Sequence, residues 1–402
     1  MVAKRAYITD YIGLDIMRFF LSLAVVLRHY FFFYYRLLDL GPILRNQPHY
    51  QILGIFYKYG HYSVQVFWLI SGIIFQSVYY EDVAAAEIGF EEYAFLRFSR
   101  LYPLHFVTLL IMAMLQFTYF STYNTFFVYQ PEDIKHFLMQ LLFMGSWYPF
   151  FEHSFNIPVW SVSIEIFVYI VFFLLALAGI LKNNGLYLVV AVTVIFNIFG
   201  ILNPFGECLT FFFCGCVLAR AINNGVSLQS LLIKYGVAAV VCAGIVALIH
   251  RYYPTISEDT VRLLIDVPLI SVASFAVIAS VIVFRNVKSK TVLRIFKNMG
   301  NMTYSLYLVH CPVQLAILLV LKPEDPAIFD NTWFLLLYLA ISVAVGWLVF
   351  EYFEKPAQKY LRLKYTAFRA GRTAQPKGDN QTNSGDSSKQ PASNEGHLQP
   401  QR

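Results

Sequence analysis

Long apolar runs, separated by short polar segments, recur along the 402-residue chain. Many of them extend over roughly 18 to 25 residues, which is enough for a helix to cross a bilayer. The pattern predicts an all-α polytopic membrane protein with about ten transmembrane helices. The predicted spans are 12–36, 62–80, 101–120, 159–181, 186–202, 206–221, 231–250, 261–284, 303–321 and 331–352.

The segments around these spans divide the chain into a membrane part and a tail. Residues 1–360 are predicted to form one transmembrane domain, and 121–157 is its longest outer connection. That connection includes HFLMQLLFMGSWYPF, which is too short to span and is expected to lie at the interface or to re-enter. Residues 361–402 are polar and rich in Pro, Gly, Ser and Asn, so we expect a disordered cytoplasmic tail.

The composition is typical of a membrane protein, and the distribution of Lys and Arg indicates its orientation in the membrane. Charged residues make up 13% of the chain, whereas soluble proteins usually carry about 25%. With ten spans, the predicted cytoplasmic segments hold 21 of the 30 Lys and Arg and the outer loops hold seven. The positive-inside rule therefore places both termini in the cytoplasm. The net charge of +6 follows from this topology and does not indicate a nucleic-acid partner.

The five cysteines all fall in or beside predicted spans. Their spacing indicates neither a disulfide framework nor a metal site, so we expect small apolar residues. The sequence predicts no metal and no permanently bound cofactor.

Charged residues and a histidine interrupt the first span. Arg18 and His29 are 11 residues apart, so they share one helix face with roughly 16 Å between them along the axis. Such a polar face is typical of a membrane helix that faces a protein interior or a wet cavity. The alternative is a snorkelling Arg18 near the inner end and an interhelical hydrogen bond from His29.

A second basic group lies at the start of the third predicted span. Arg97 and Arg100 are three residues apart, and Pro103 suits the first turn of a helix. Two cations just before a helix N-terminus would form a site for an anion on the cytoplasmic side. The alternative is that both residues only anchor the helix at the membrane surface.

An intramembrane carboxylate lies in the fourth predicted span. Glu165 is seven residues past Pro158, and His29 is seven residues inside Arg36, so both are predicted about 10 Å below the outer boundary. A histidine at equal depth is the natural partner of a carboxylate in the membrane. The pair is either functional or a structural ion pair.

The start of the ninth predicted span carries a polar stripe. Tyr304, Tyr307 and His310 follow one another at intervals of three residues, so they share one helix face. The stripe favours hydrogen bonds between helices, and catalysis is the alternative.

Together these motifs resemble the membrane acyltransferase-3 family, the integral-membrane O-acyltransferases of bacterial surface polysaccharides. The resemblance extends over about residues 10–360. The residues that carry it are Asp15, Arg18 and His29; Gly60, Val64, Phe67, Ser71 and Gly72; Arg97, Arg100 and Pro103; Trp160, Ser161 and Glu165; Tyr304, Ser305, Tyr307 and His310; Glu354 and Pro356. Some members of the family carry a C-terminal esterase-like domain, and we expect none here, because the polar tail is too short to form one.

The resemblance implies a multi-pass enzyme of the bacterial inner (cytoplasmic) membrane. It implies that acyl-CoA, usually acetyl-CoA, is the cytoplasmic donor substrate and that a carbohydrate hydroxyl is the acceptor on the outer side. Arg18, Arg97 and Arg100 would bind the donor. Leu96 stands where a further arginine is frequent, so the basic loop 285–297 is expected to contribute.

The same resemblance assigns His29 and Glu165 as catalytic residues. His29 would act as a general base or would itself be acylated, and the sequence leaves both open. Glu165 would orient His29 and stabilise its cation. A passage past Ser22 and Val25 would join the two membrane faces. The supporting residues are Asp15, Trp160, Ser161, Tyr304, Tyr307 and His310.

Two other functions also fit polar residues inside a membrane. In a proton-coupled secondary transporter, Arg18, His29 and Glu165 would form a proton relay. Transporters often contain two similar halves, and no such self-similarity is visible here. A flippase for lipid-linked sugars would need no CoA site.

Overall fold

We describe the fold from a computed structural model, which covers residues 12–38, 45–147, 152–252 and 258–374. Within these residues the chain is helical and contains no β-strand. The α-helices are α1 (Ile12–His29), α2 (Tyr35–Leu38), α3 (Tyr50–Tyr59), α4 (Ser63–Val78), α5 (Tyr80–Ala84), α6 (Phe90–Tyr123), α7 (Ile134–Leu141), α8 (Val159–Leu177), α9 (Gly185–Ile198), α10 (Phe205–Asn223), α11 (Leu228–Tyr252), α12 (Glu258–Phe284), α13 (Lys290–Asn301), α14 (Thr303–Leu321), α15 (Thr332–Val349) and α16 (Lys355–Ala374).

Seven helical segments are long and apolar enough to cross a membrane, by length and composition. They are Ile12–Tyr34, Phe90–Tyr123, Val159–Leu177, Phe205–Asn223, Leu228–Ile249, Thr303–Leu321 and Thr332–Gly371. The other three predicted spans coincide with α4 and with the shorter apolar helices Gly185–Ile198 and Pro268–Phe284. The prediction of an all-α polytopic membrane protein is confirmed, while the ten crossings and the side of the termini stay predictions.

Other helices enclose α1, which explains how a membrane helix can carry charged residues. It packs against α3, α4, α12, α13 and α14. Ten of its eighteen residues are buried, among them Ile16, Val25 and Val26. The polar groups of α1 therefore lie among protein neighbours, where hydrogen bonds and counter-charges are available.

Two glycines allow α4 and α10 to pack backbone against backbone. A Cβ atom at Gly72 would lie 1.8 Å from the carbonyl oxygen of Phe212. A Cβ atom at Gly215 would lie 2.0 Å from the carbonyl oxygen of Leu69. Neither position can accept a side chain without moving a helix, so this contact fixes α4 in the bundle.

The helix α6 begins eleven residues earlier than the sequence predicted, at Phe90 instead of 101. Arg97, Arg100 and Pro103 lie inside this helix, so the prediction that the two arginines precede a helix N-terminus is wrong. Glu91 and Glu92 occupy its first turn, where acidic residues stabilise the helix dipole. These acidic residues, and not the proline, mark the true start.

The C-terminal part of the membrane domain continues further than predicted. A π-helical turn, Phe350–Glu354, leads from α15 directly into α16, which ends at Ala374. The predicted boundary between domain and tail at 360 lies inside α16, so 361–374 are helical. Residues 375–402 lie outside the described residues, and disorder there stays a prediction.

The connection between α6 and α8 contains the short helix α7. Its eight residues extend over about 12 Å, too little to cross a bilayer. Buried Glu132 holds this connection together, because its two carboxylate oxygens accept hydrogen bonds from the Phe155 N–H at 2.7 and 2.9 Å. Gln116 donates a further bond to Glu132 at 3.1 Å. Burial raises the pKa of Glu132 to about 8, although the Phe155 N–H opposes the shift.

Candidate active site

A cavity of about 410 Å³ lies among α1, α4, α6, α8, α14, α16 and the C-terminal end of α13. Along α4 its lining extends from Val64 to Phe75, which corresponds to about 16 Å of helix axis. We call the part of the cavity near Arg362 the inner end, because the sequence predicts the cytoplasm there. The part near Ser161 and Tyr307 is called the deep end.

Four arginines line the cavity. Three of them, Arg18, Arg97 and Arg100, are the residues that the sequence predicted as a donor-binding group. The fourth, Arg362 on α16, was not predicted, because its segment was interpreted as a polar tail. Guanidinium groups form paired hydrogen bonds with phosphate, so a cavity with four of them is suited to a polyanion.

The basic loop 285–297, which was expected to contribute, is not represented in the lining of this cavity. Lys297 acts electrostatically on Asp15, at the base of α1. Within the described residues, the additional cation that lines the cavity is Arg362, and not a residue of this loop.

Asp15 is the first counter-charge of the arginine group. Its Oδ1 lies 3.7 Å from Nη1 of Arg18, one turn along α1. A Cβ atom at Gly300 would lie 2.4 Å from the Asp15 side chain, so α13 approaches α1 closely only because this position is glycine. The contact holds Asp15 in place, and Asp15 in turn positions Arg18.

Glu354 is the second counter-charge, and the sequence gave it no role beyond its motif. Its carboxylate is buried and accepts a hydrogen bond from Ser305. It lies close enough to Arg100 and Arg18 to attract both guanidinium groups. The two arginines are therefore partly neutralised even when the cavity is empty.

Arg97 is held by aromatic rings. Its guanidinium carbon lies 5.1 Å from the ring centre of Phe75 and 4.6 Å from that of Tyr79. Its Nη2 donates to the Tyr79 hydroxyl. Its buried Nε finds no hydrogen-bond partner among the described residues. A ligand or a water molecule in the cavity could satisfy this buried donor.

Glu165 lines the cavity beside the hydroxyl groups of Ser71 and Tyr169, which hydrogen-bond its carboxylate. Arg97 and Arg18 attract it from the same cavity. The predicted pairing of Glu165 with His29 is wrong, because His29 has a different partner. Equal depth along two helices does not fix how each helix is rotated about its axis, and α8 directs Glu165 toward α4.

The partner of His29 is His310. Nδ1 of His29 lies 2.8 Å from Nε2 of His310, and the two rings are nearly parallel, with their centres 5.1 Å apart. The Phe32 ring also stacks with the His29 ring, with 5.2 Å between the two ring centres. Gln314 donates to the His29 carbonyl at 3.1 Å. His29 is partly exposed, whereas His310 is fully buried.

Hydrogen bonds around this pair favour one arrangement of protons. Nδ1 of His310 lies 3.3 Å from the carbonyl oxygen of Leu306, which can only accept. We therefore assign the His310 proton to Nδ1, so that its Nε2 accepts from Nδ1–H of His29. Nε2 of His29 then carries a lone pair, as a general base requires.

Tyr307 lies in the cavity wall and also beside the histidine pair. The hydroxyl groups of Ser161 and Tyr307 share a hydrogen bond of 2.7 Å at the deep end, where both residues line the cavity. On its other side, the Tyr307 ring centre lies 6.2 Å from that of His310. Tyr304 donates to the Leu101 carbonyl at 2.9 Å, which ties α14 to α6.

The passage predicted along α1 is not open in this structure. Ser22 is completely buried and Val25 is 2% exposed. Val25 packs in one apolar cluster with Tyr304, Tyr307 and Leu308. His29 is absent from the lining of the cavity that contains Arg18. The helix face shared by Arg18 and His29 is therefore interrupted by packed side chains.

Trp160 lies beside the site without lining the cavity. Its ring centre lies 6.0 Å from that of Trp68, in an edge-to-face arrangement, and 5.8 Å from that of His153.

One group of side chains could hold a metal ion, although the sequence predicted no metal site. The ligand atoms of His29, His310 and Cys311 lie within 4.8 Å of one another. The hydrogen bond between the two imidazoles already explains their approach.

Comparison with known families identifies the chain. Residues 11–351, most of its length, match the family described as an acyltransferase domain. Comparisons with curated proteins and with solved structures gave no match. The match covers all the described helices that form the cavity except α16. The chain therefore belongs to the acyltransferase-3 family of membrane acyltransferases.

Proposed function

We propose that this protein is an integral-membrane O-acyltransferase of the bacterial inner membrane. It would transfer an acyl group, most simply acetyl, from cytoplasmic acyl-CoA to a hydroxyl of a surface or lipid-linked carbohydrate. The observation that carries the proposal is a cavity lined by four arginines whose deep-end residue Tyr307 lies beside His310, the hydrogen-bond partner of His29.

The cavity supports the donor half of this proposal. The phosphates of CoA are polyanionic, and Arg18, Arg97, Arg100 and Arg362 supply cations in one space. From the inner end, the pantetheine arm would extend toward the deep end and bring the thioester near Glu165 and Tyr307. The linear extent of about 16 Å along α4 suits a thin, extended arm.

The histidine pair supports the acceptor half. Nε2 of His29 would remove the proton from the acceptor hydroxyl, and the resulting oxygen would attack the thioester carbonyl. The C–O bond forms, the C–S bond breaks, and the CoA thiolate receives the proton that His29 carried. During the reaction the positive charge on His29 is stabilised through its Nδ1–H, which donates to His310.

Glu165 takes a different role from the one the sequence suggested. It lies in the cavity with Arg97 and Arg18, so it would position the donor side of the site. The contact between Ser161 and Tyr307 must open for the thioester to reach His29. Closure in the absence of the acceptor would protect the bound thioester from hydrolysis.

Radiolabelled acetyl-CoA added to membrane vesicles that contain the protein and a polysaccharide acceptor tests this function. We expect label in the carbohydrate fraction, and none when vesicles carry His29→Ala. Label that stays in acetyl-CoA while the vesicles take up protons or flip lipid-linked sugar would overturn the enzyme and favour the transporter or the flippase.

A further inference from the structure

The helix α16 packs along the inner part of α6 in antiparallel fashion. The rings of Phe95 and Tyr365 stack with their centres 4.2 Å apart and an angle of 12° between them. One turn further toward the C-terminus of α16, Arg369 hydrogen-bonds Glu92. These contacts fix the rotation of α16 relative to the cavity.

This docking places Arg362 in the cavity wall. Nε of Arg362 donates to the Ser99 hydroxyl at 3.4 Å, and Arg362 is only partly exposed. Both Arg362 and Gln358, one turn earlier, line the cavity. α16 thus closes the inner end of the site with two polar side chains, although sequence composition assigned most of it to a tail.

The electrostatic surroundings of Arg362 indicate an anion. Two other cations of the cavity, Arg97 and Arg100, lie close enough to repel it. The nearby buried carboxylate of Glu354 acts on Arg100 and Arg18. Partial burial beside like charges is unfavourable, and a bound anion would compensate it; the Nε of Arg97, which lacks a partner among the described residues, lies in the same wall.

We propose that Arg362, together with Arg97, binds the nucleotide phosphates of the donor and makes α16 a specificity determinant for CoA thioesters. The inference rests on the proposed function, because it names the part of the donor that the inner end recognises. A phosphate dianion accepts paired hydrogen bonds from guanidinium groups, and this arrangement selects phosphate-bearing donors over shorter thioesters.

Arg362→Gln tests this assignment in the purified full-length protein in lipid nanodiscs. We compare acetyl-CoA with S-acetylpantetheine, which carries the same thioester without the nucleotide. For acetyl-CoA, KM should rise about tenfold, as expected for the loss of a charge-assisted hydrogen bond at a partly exposed site. Its kcat should change less than about twofold, and KM for S-acetylpantetheine should stay unchanged. Arg362→Lys should recover part of the loss.

Lys359→Gln is the matched control, because Lys359 is exposed on the same helix and does not line the cavity. It removes one positive charge from α16 and should leave both KM values unchanged. An equal rise in KM for both donors in Arg362→Gln would mean that Arg362 only docks α16, and unchanged values would show that it does not touch the donor. Either result overturns the assignment.

Binding of adenosine 3′,5′-bisphosphate separates this inference from the proposed function. This fragment contains the nucleotide phosphates and needs no turnover. It should bind wild-type protein and Lys359→Gln alike, and Arg362→Gln about tenfold more weakly. Without wild-type turnover the proposed function fails, whereas equal fragment binding by all three proteins overturns the inference alone.

Discussion

The inner cavity and the histidine pair differ in charge, in access and in how they are held together. The cavity contains four arginines, is open enough to hold a ligand, and is compensated partly by the carboxylates of Asp15, Glu354 and Glu165. Among the described residues, no carboxylate hydrogen-bonds the pair of His29 and His310, and aromatic rings enclose it. In the proposed function, the first region would bind a polyanion and the second would move a proton.

If the proposed function is right, donor binding and chemistry would occupy separate levels of one site. The hydrogen bond between Ser161 and Tyr307 lies at the deep end of the cavity, where Tyr307 also approaches His310. Substitutions in the cavity should change donor affinity, while substitutions in the pair should change turnover. The predictions that follow test this division.

The largest effect is expected from His29→Ala. Removal of the general base should lower kcat by a factor of about 10² to 10⁴, whereas KM for acetyl-CoA stays near the wild-type value. Labelled acetyl-CoA in membrane vesicles measures both constants. Residual turnover above about a tenth of wild type would exclude His29 as the base.

His310→Ala should lower kcat less than His29→Ala does. It leaves Nδ1–H of His29 without its acceptor, so we expect kcat to fall about ten- to a hundredfold with little change in KM. His310→Gln can still accept a hydrogen bond and should recover part of the activity. If alanine and glutamine variants were equally impaired, His310 would act by packing and not by orienting His29.

Arg97→Ala or Arg100→Ala should change KM and not kcat, in contrast to the substitutions of the two histidines. Loss of a charge-assisted phosphate contact should raise KM for acetyl-CoA about tenfold or more and leave kcat largely intact. Arg97→Lys should recover only part of the affinity, since lysine lacks the planar fork. Unchanged donor affinity in both alanine variants would reduce these arginines to membrane anchors.

Tyr307→Phe tests the contact between the two levels. Without the hydrogen bond to Ser161, worth about 0.5–1.5 kcal/mol, opening should become about two- to tenfold more frequent. Buried Cys311, next to His310, is a native probe. A membrane-permeant thiol reagent should label it faster in the variant, and Cys311→Ser identifies the labelled position. Equal rates would show that this contact does not control access.

The smallest expected effect is on folding stability, and it arises from Glu132, which lies outside the membrane helices. The pKa of Glu132 is raised to about 8, so the folded state holds a proton that the unfolded chain releases near pH 4.5. Folded stability should therefore fall as pH rises from about 5 to about 8. We expect the midpoint of thermal unfolding to drop by a few degrees over this range. Glu132→Gln should flatten the dependence, and an unaltered slope would assign it to another group.

The sequence predicted the inner cavity better than the histidine pair, for a geometric reason. Arg18, Arg97 and Arg100 were placed together because topology assigns the same end of the bundle to all three. That argument needs only the height of each residue along its helix. The pairing of Glu165 with His29 also used height, but it needed the rotation of α8 about its axis, which the sequence does not contain.

Two further differences between prediction and structure arise because local sequence signals were ambiguous. Pro103 resembles a helix start, whereas Glu91 and Glu92 mark the one that the structure shows. Arg362 was missed because residues 361–402 share the composition of a tail, and only packing against α6 shows that α16 is part of the site. Contacts between distant parts of the chain were the information that the sequence pattern lacked.

The central claim is that donor and acceptor meet from opposite ends of one site. Proteoliposomes with a known orientation of the chain test it, with acetyl-CoA supplied on one side and the carbohydrate acceptor on the other. The account predicts transfer when acetyl-CoA is on the side of α16 and the acceptor is on the side of α7. Transfer at an equal rate with both substrates confined to the α7 side would contradict it.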